Sequence, residues 1–400
     1  MMKVNLILLA GLILVSSGDV QAAEKPLKVY ILAGQSNMQG HAHIRTFEHI
    51  GMDPRTAPIL RQMRNADGSP RVCNNVWISS LGNAAEEQHG KLTVGYGAAS
   101  GGPKIGPEFT FGIYLNKPGD QPILIIKTAW GGKSLHTDFR PPSAGPYKFN
   151  DQQLENLKKQ GRNIEQAKQD RAKATGQYYR LMMAHIKKVL GNIERVYPDY
   201  DAKAGYELSG FVWFQGWNDM VDRGTYPNRS SPGGYAQYSE VLAHFIRDIR
   251  QDLSASNLPF VIGVMGVGGP VENYSPDQQR YKAIHSEFRK AMAAPAEMAE
   301  FKGNVIAVFT EKYWDLQLDE LSARWDQVNT KKRSLNQDKS LTNEQRKKTL
   351  DAFTAKTFTT EELDIFRAGT SNAAYHYMGS AKIMAQIGKA FAESLAETTN

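Results

Sequence analysis

A three-layer α/β/α domain around a doubly wound parallel sheet is the fold that this 400-residue sequence predicts. Short, nearly continuous apolar runs recur along it, at 29–33, 122–127, 210–214, 259–265 and 304–309. Strands of a parallel sheet are covered on both faces, so they show unbroken apolar runs and not an alternating pattern. Between the runs lie longer amphipathic stretches, at 177–196, 235–253, 278–292 and 379–395, spaced as helices that cover such a sheet. Polar and glycine-rich clusters follow directly on several runs, where an open α/β sheet presents its binding crevice.

The chain starts with Met1-Met2-Lys3, an apolar stretch over 4–15, then Ser16-Ser17-Gly18 and Val20-Gln21-Ala22-Ala23. A basic start, a short apolar segment and small residues before a cleavage site make a secretory leader, so 1–23 is expected to be removed and the chain exported to the periplasm or beyond. The apolar stretch is short for a membrane span, which makes a retained anchor the weaker alternative. A lipoprotein needs a cysteine at the cleavage site, and the only one is Cys73. The remainder, 24–400, is expected to form one domain.

The first run, 29–33, leads straight into Gly34-Gln35-Ser36-Asn37-Met38, which places a hydroxyl at the end of a buried strand. Gly95-Tyr96-Gly97 comes next, then Gly106-Pro107-Glu108-Phe109. Proline at the first helical position with an acid in the first turn is a good helix entry. The Gly106 N–H could also approach a substrate oxygen, because no side chain stands in the way. The run at 122–127 is followed by Thr128-Ala129-Trp130-Gly131-Gly132-Lys133-Ser134, where Trp130 could stack on a sugar face. It lacks the spacing of a phosphate loop.

The stretch 151–173 is polar and rich in Gln, Lys and Asn, and 319–359 carries many charges and few apolar residues. Both are expected as helical or irregular insertions, neither with apolar residues enough for a core of its own. Between them, the run at 210–214 ends in Gln215-Gly216-Trp217-Asn218-Asp219. Its amides are neutral donors suited to a developing oxyanion, although Asn218 and Asp219 could equally cap the following helix. Tyr375-His376-Tyr377-Met378-Gly379 precedes the last helix and offers a histidine as a general base for Ser36.

Composition narrows the function classes. The net charge of +7 comes without a Lys/Arg block interleaved with aromatics, so no nucleic-acid groove is expected, while an anionic polysaccharide partner stays open. A single cysteine excludes an intramolecular disulfide, and Cys73 is expected as a small buried apolar side chain. Cys-x-x-Cys and His-Glu-x-x-His are absent, so the usual zinc signatures are missing, and no metal or organic cofactor is expected. Sequons at Asn228 and Asn273 matter only in a eukaryotic secretory route.

Four of these clusters, Gly34-Gln35-Ser36-Asn37-Met38, Gly106-Pro107-Glu108, Gln215-Gly216-Trp217-Asn218-Asp219 and His376, resemble in order the four blocks of the SGNH hydrolases. More narrowly the chain resembles the branch of sialate O-acetylesterases and family 6 carbohydrate esterases, which includes acetylxylan esterases. That resemblance implies a flavodoxin-like SGNH fold and a serine esterase that releases acetyl groups from a carbohydrate. It implies Ser36 as nucleophile and His376 as base, with an oxyanion hole made by the Ser36 N–H, Gly106 and Asn218, Gln215 being the rival to Asn218. Gln35, Asn37, Trp130, Trp217 and Tyr375 are then expected to meet the substrate. One departure stands out: the family carries Asp three residues before the histidine, and here that position is Ala373. Asn372 or a backbone carbonyl, or an acid from elsewhere such as Asp364 or Asp315, would have to orient His376, or the chain is a carbohydrate binder with weakened catalysis. Transfer of the acetyl group to a second sugar is a further alternative.

Overall fold

The computed structural model describes residues 25–117 and 119–398, so the expected leader at 1–23 lies outside the described residues. Five apolar runs become strands of one seven-stranded sheet. In chain order the strands are β1 (Leu27–Gly34), β2 (Ala42–His43), β3 (Val76–Leu81), β4 (Gln88–Lys91), β5 (Lys104–Ile105), β6 (Ile123–Ala129), β7 (Tyr206–Phe214), β8 (Phe260–Val264) and β9 (Val305–Phe309). The large sheet runs β4-β3-β6-β1-β7-β8-β9, and β2 and β5 pair separately. Every neighbouring pair in the large sheet is parallel except β3 with β4.

From β1 the chain passes to one side for β3 and β6 and then to the other for β7, which makes β1 the point where the winding reverses. Ligands bind beyond the carboxyl ends of strands at such a reversal. Register sharpens the location. Gly34 pairs with Ala129 of β6 on one side and Phe214 of β7 on the other, so Gln35-Ser36, Trp130-Gly131 and Gln215-Gly216 leave the sheet side by side.

Alternation along β7 shows that helices cover both faces, since successive side chains of a strand point to opposite sides. A Cβ at Gly210 would touch Leu395 of the helix Ala381–Thr398, and Phe214 packs on Phe391 of the same helix. Phe211 and Trp213 instead pack on Phe245 of the helix Ala236–Asp252. No helix among the described residues is long and apolar enough to cross a membrane.

Two features depart from the sequence expectation. Strand β3 carries Ser79 and Ser80 at its centre, which hid it from a search for apolar runs. Both serines are fully buried and pay for it with hydrogen bonds, Ser79 to Glu87 and His185 and Ser80 to Asn83. The second departure concerns the insertion expected at 319–359. It forms three helices, Leu316–Gln337, Asn343–Thr357 and Thr360–Gly369, and it does possess a small core, Leu321, Val328, Phe358 and Phe366. One of those residues, Phe366, and its partly buried neighbours Leu363 and Ile365 lie beyond 359, so the cluster is completed from outside 319–359. The insertion at 151–173 is two capped helices, Asp151–Lys159 and Ile164–Ala174.

Candidate active site

Ser36 opens the short helix Ser36–Gln39 directly after β1 and is 7% exposed. As the first residue of a helix, its N–H has no intrahelical acceptor. Its hydroxyl has one hydrogen-bond partner, Gln35 Nε2 at 3.5 Å.

Gln35 fixes the orientation of the amides around the serine. The backbone N–H of Gly216 donates to Gln35 Oε1 at 3.1 Å, so that end of the amide is the oxygen. The other end, Nε2, therefore donates to Asn218 Oδ1 at 3.1 Å. Asn218 is thus turned with its oxygen toward Gln35, and its Nδ2–H2 has no acceptor among the described residues. An unspent amide N–H is the kind of donor that can stabilise an oxyanion.

Gln215, the rival donor, is 2% exposed and fully engaged. Its Nε2 donates to Gln35 Oε1, Lys133 C=O and Asp219 Oδ2, and its Oε1 accepts from the Tyr238 hydroxyl. It holds the network and has nothing left for substrate. Asp219 closes that network from below, buried and accepting from the N–H groups of Leu135 and His136, from Gln215 and from the Tyr226 hydroxyl. Burial pushes its pKa up to about 6 against the opposing pull of those donors.

Gly106 takes a different part from the expected one. Its N–H donates to Glu108 Oε1 at 2.9 Å, so the expected oxyanion donor is occupied in this arrangement. The other oxygen of Glu108 meets Lys127 Nζ at 2.7 Å, and both side chains are fully buried. Lys127 also donates to the carbonyls of Gln39 and Tyr96, tying β6 to the serine helix. Burial lowers the Lys127 pKa while Glu108 opposes that. Breaking a buried pair leaves a bare charge, so Glu108→Ala is expected to cost roughly 3–5 kcal/mol in urea unfolding. The double variant Glu108→Leu/Lys127→Met should recover most of that loss; a single-variant loss below about 1 kcal/mol contradicts the assigned role.

His376 lies in the turn Ala374–Gly379, which packs against the serine helix. Asn372 Oδ1 accepts from the Ala373 N–H at 2.8 Å, which identifies that atom as oxygen, and it contacts His376 Nδ1 at 2.9 Å. Nδ1 therefore carries the proton, and Nε2 keeps the lone pair that a base needs. His376 makes no hydrogen bond to Ser36 in this arrangement; its ring contacts Asn372 and His41. Burial brings the His376 pKa down to about 4.

The turn is held against its own strain. Tyr377 and Met378 have φ of 51° and 57°, values that non-glycine residues seldom adopt and that cost on the order of 1–3 kcal/mol each. The N–H groups of Ser371 and Asn372 both donate to the Met378 carbonyl, closing the turn on itself. The fully buried Tyr377 anchors it, its hydroxyl accepting from the Gly266 N–H at 2.8 Å and meeting Thr310 Oγ1 at 2.7 Å.

The acids considered for His376 make no contact with it: Asp315 is engaged elsewhere and Asp364 lies on a separate cavity. Asp315 pairs with Lys382 at 2.9 Å and caps the helix Leu316–Gln337, while Asp364 lines a cavity beside Trp325. Three of the expected substrate contacts are packed within the protein in this arrangement. Gln35 is 1% exposed with its amide spent on the network above, and Asn37 is a buried residue of the serine helix. Trp130 packs edge-on against Tyr178 at 5.3 Å, and the neighbouring Gly131 is what approaches the serine: a Cβ there would stand 3.9 Å from Ser36 Cβ. The Trp217 and Tyr375 rings lie 5.5 Å apart, with Tyr375 exposed and 4.4 Å from His376.

One neighbour went unforeseen. The His41 ring lies parallel to His376 with centroids 3.9 Å apart. Burial, then His376, Lys104 and Lys127, push its pKa down to about 3, so it is a neutral ring stacked on His376. Nothing in Gly40-His41-Ala42 marks it in sequence, because the contact is made by a residue 335 positions away in the chain, by the numbering.

A family profile described as carbohydrate esterase, sialic acid-specific acetylesterase, matches residues 26–312, ending before the segment that carries His376. No curated protein matches the chain. Among solved structures, a protein from Arabidopsis thaliana is similar at 16% identity and a TM-score of 0.37, over 71% of this chain and 86% of that one. A carbohydrate acetylesterase from Xanthomonas citri shows 14% identity and a TM-score of 0.38 over 70% of this chain, and the match spans 49% of its own length. NanS shows 14% identity and a TM-score of 0.36, over 72% of this chain and 79% of that one.

Proposed function

Because the chain belongs to the carbohydrate esterases described as sialic acid-specific acetylesterases, we propose that it is an exported serine esterase that removes O-acetyl groups from a carbohydrate through an acyl-serine intermediate. The observation that carries this is the amide relay in which Gly216 fixes Gln35 and Gln35 Nε2 reaches both the Ser36 hydroxyl and Asn218 Oδ1, so that Asn218 Nδ2 is left without an acceptor among the described residues. The leader pattern at 1–23 supports export.

In this mechanism His376 Nε2 takes the Ser36 proton as Oγ bonds to the acetyl carbonyl carbon. The carbonyl oxygen becomes an oxyanion facing the Ser36 N–H and Asn218 Nδ2. Collapse breaks the bond to the sugar oxygen, which leaves with the proton held on His376. Water then gives a proton to His376, attacks the acyl carbon and releases acetate, and Ser36 recovers its proton. Trp217 and Tyr375 supply an aromatic rim for the sugar.

Acetate release from O-acetylated sialic acid, acetylated xylan and acetylated neutral oligosaccharides tests the activity. Release from at least one, absent in Ser36→Ala, is expected. Binding without release from any of them overturns it in favour of a carbohydrate binder. Asn218→Ala is expected to lower kcat roughly 100- to 1,000-fold with little change in KM, as for loss of one oxyanion donor. A kcat within about twofold of wild type removes Asn218 from the mechanism.

A further inference from the structure

The three helices at 316–369 lie outside the residues matched by the family profile and make none of the contacts of the serine network. Leu316–Gln337 and Asn343–Thr357 pack as a hairpin joined by 338–342, so Lys331, Lys332 and Arg333 share its tip with Lys339, Arg346, Lys347 and Lys348. Only Asp338 and Glu344 oppose them over 331–348. Near the root the same unit pairs its cations, Arg324 with Glu362 and Glu320. At the tip, among the described residues, none of the cations forms an ion pair: Arg346 donates to Asn343 and to the Asp338 carbonyl, and the Asp338 carboxylate is taken by Ser340. Unpaired like charges repel, so such a cluster lowers its energy by meeting an anion.

A cavity of about 590 Å³ opens between the three helices, lined by Trp325, Asn329, Lys332, Asp351, Thr354, Asp364 and Arg367 among others. Trp325 is half-buried, supported by Phe366 at 5.3 Å and Phe358 at 6.0 Å. An aromatic ring with amide, hydroxyl and charged groups around it has the chemistry of a saccharide site. Lys332 belongs to both the cavity and the cationic tip. No large apolar side chain is exposed at 331–348, which disfavours insertion into a membrane, and no aromatics interleave the cations as stacking platforms for bases would.

We infer that the 316–369 unit is a docking module for an acidic polysaccharide, with one sugar in the Trp325 cavity and the flanking chain along the cationic tip. The inference rests on the carbohydrate esterase activity proposed above. It gives the module a role in catalysis on polymers: the Leu316–Gln337 helix is about 33 Å long, so the tip stands well away from its root. The root adjoins the His376 turn, where Arg45 donates to the carbonyls of Arg367 and Thr370 just before Ser371 and Asn372. A long chain held at the tip is thereby kept near Ser36, while a small ester gains nothing.

The test uses the full chain, with polysialic acid and polygalacturonate as acidic probes, xylan as a neutral one, and duplex DNA and anionic vesicles as rivals. The variant Lys331→Gln/Lys332→Gln/Lys347→Gln/Lys348→Gln is expected to weaken binding of the acidic polymers about tenfold or more, as does ~1 M salt with the wild type. Hydrolysis of p-nitrophenyl acetate should stay unchanged. Trp325→Ala and, in case that unfolds the unit, Asn329→Ala should each weaken the acidic polymers at unchanged salt dependence. Equal binding by the quadruple variant overturns the inference, as does binding of DNA or vesicles without acidic polysaccharide. Wild-type protein that binds the polymers but never turns over p-nitrophenyl acetate strikes the esterase activity and not the docking surface.

Discussion

Ser36→Ala is expected to lower kcat/KM for acetyl esters roughly ten-thousand-fold or more while leaving the fold intact. The hydroxyl follows directly on β1 at the reversal point of the sheet, where β6, β1 and β7 end in register, and is the nucleophile of the proposed mechanism. Among the described residues its one hydrogen bond is the 3.5 Å contact from Gln35, whose amide is also held by Gly216, Gln215 and Asn218, so the network survives the change. The residual rate should reflect binding and the oxyanion donors alone. Activity within about tenfold of wild type means that another nucleophile, or a bound water, does the chemistry.

His376→Ala is expected to cost a similar roughly thousand- to ten-thousand-fold in kcat/KM, because the serine proton then has no acceptor. The pH profile gives the sign. The base must be neutral, and burial has brought its pKa down to about 4, so kcat/KM of the wild type should rise with pH through about 4 and level off toward neutrality. Asn372 holds Nδ1 but, being neutral, offers the imidazolium no charge. Asn372→Asp adds that charge, so it should raise kcat and shift the acid limb upward toward the ordinary histidine value of 6.5. An acid limb unmoved by Asn372→Asp contradicts the pairing, and an unaltered rate in His376→Ala removes the base.

The strands that frame the site were legible because a strand buried on both faces must be apolar, as 29–33 and 210–214 are. Strand β3 was not, because Ser79 and Ser80 are satisfied by partners such as His185, 106 residues away from Ser79. The same limit applies within the site. Gly34-Gln35-Ser36-Asn37-Met38 and Gln215-Gly216-Trp217-Asn218-Asp219 stand out as polar clusters at strand ends, so both halves of the network could be found. Which amide is spent and which is free could not, since the choice depends on the Gly216 N–H fixing Gln35. Glu108 likewise has the sequence of a helix entry, and its claim on the Gly106 N–H and Lys127 emerges only when β6 lies beside the serine helix. His41 under His376 and the left-handed Tyr377 that holds the turn are tertiary contacts without a local signature.

The most direct measurement of Ser36 as nucleophile is peptide mass mapping after brief reaction with p-nitrophenyl acetate and acid quench, with a diethyl phosphoryl ester as a trapping reagent in parallel. The acetyl or phosphoryl group is expected on the peptide that contains Ser36, and absent from it in Ser36→Ala. Turnover with no adduct on Ser36, or an adduct on another residue that accounts for the activity, would contradict it.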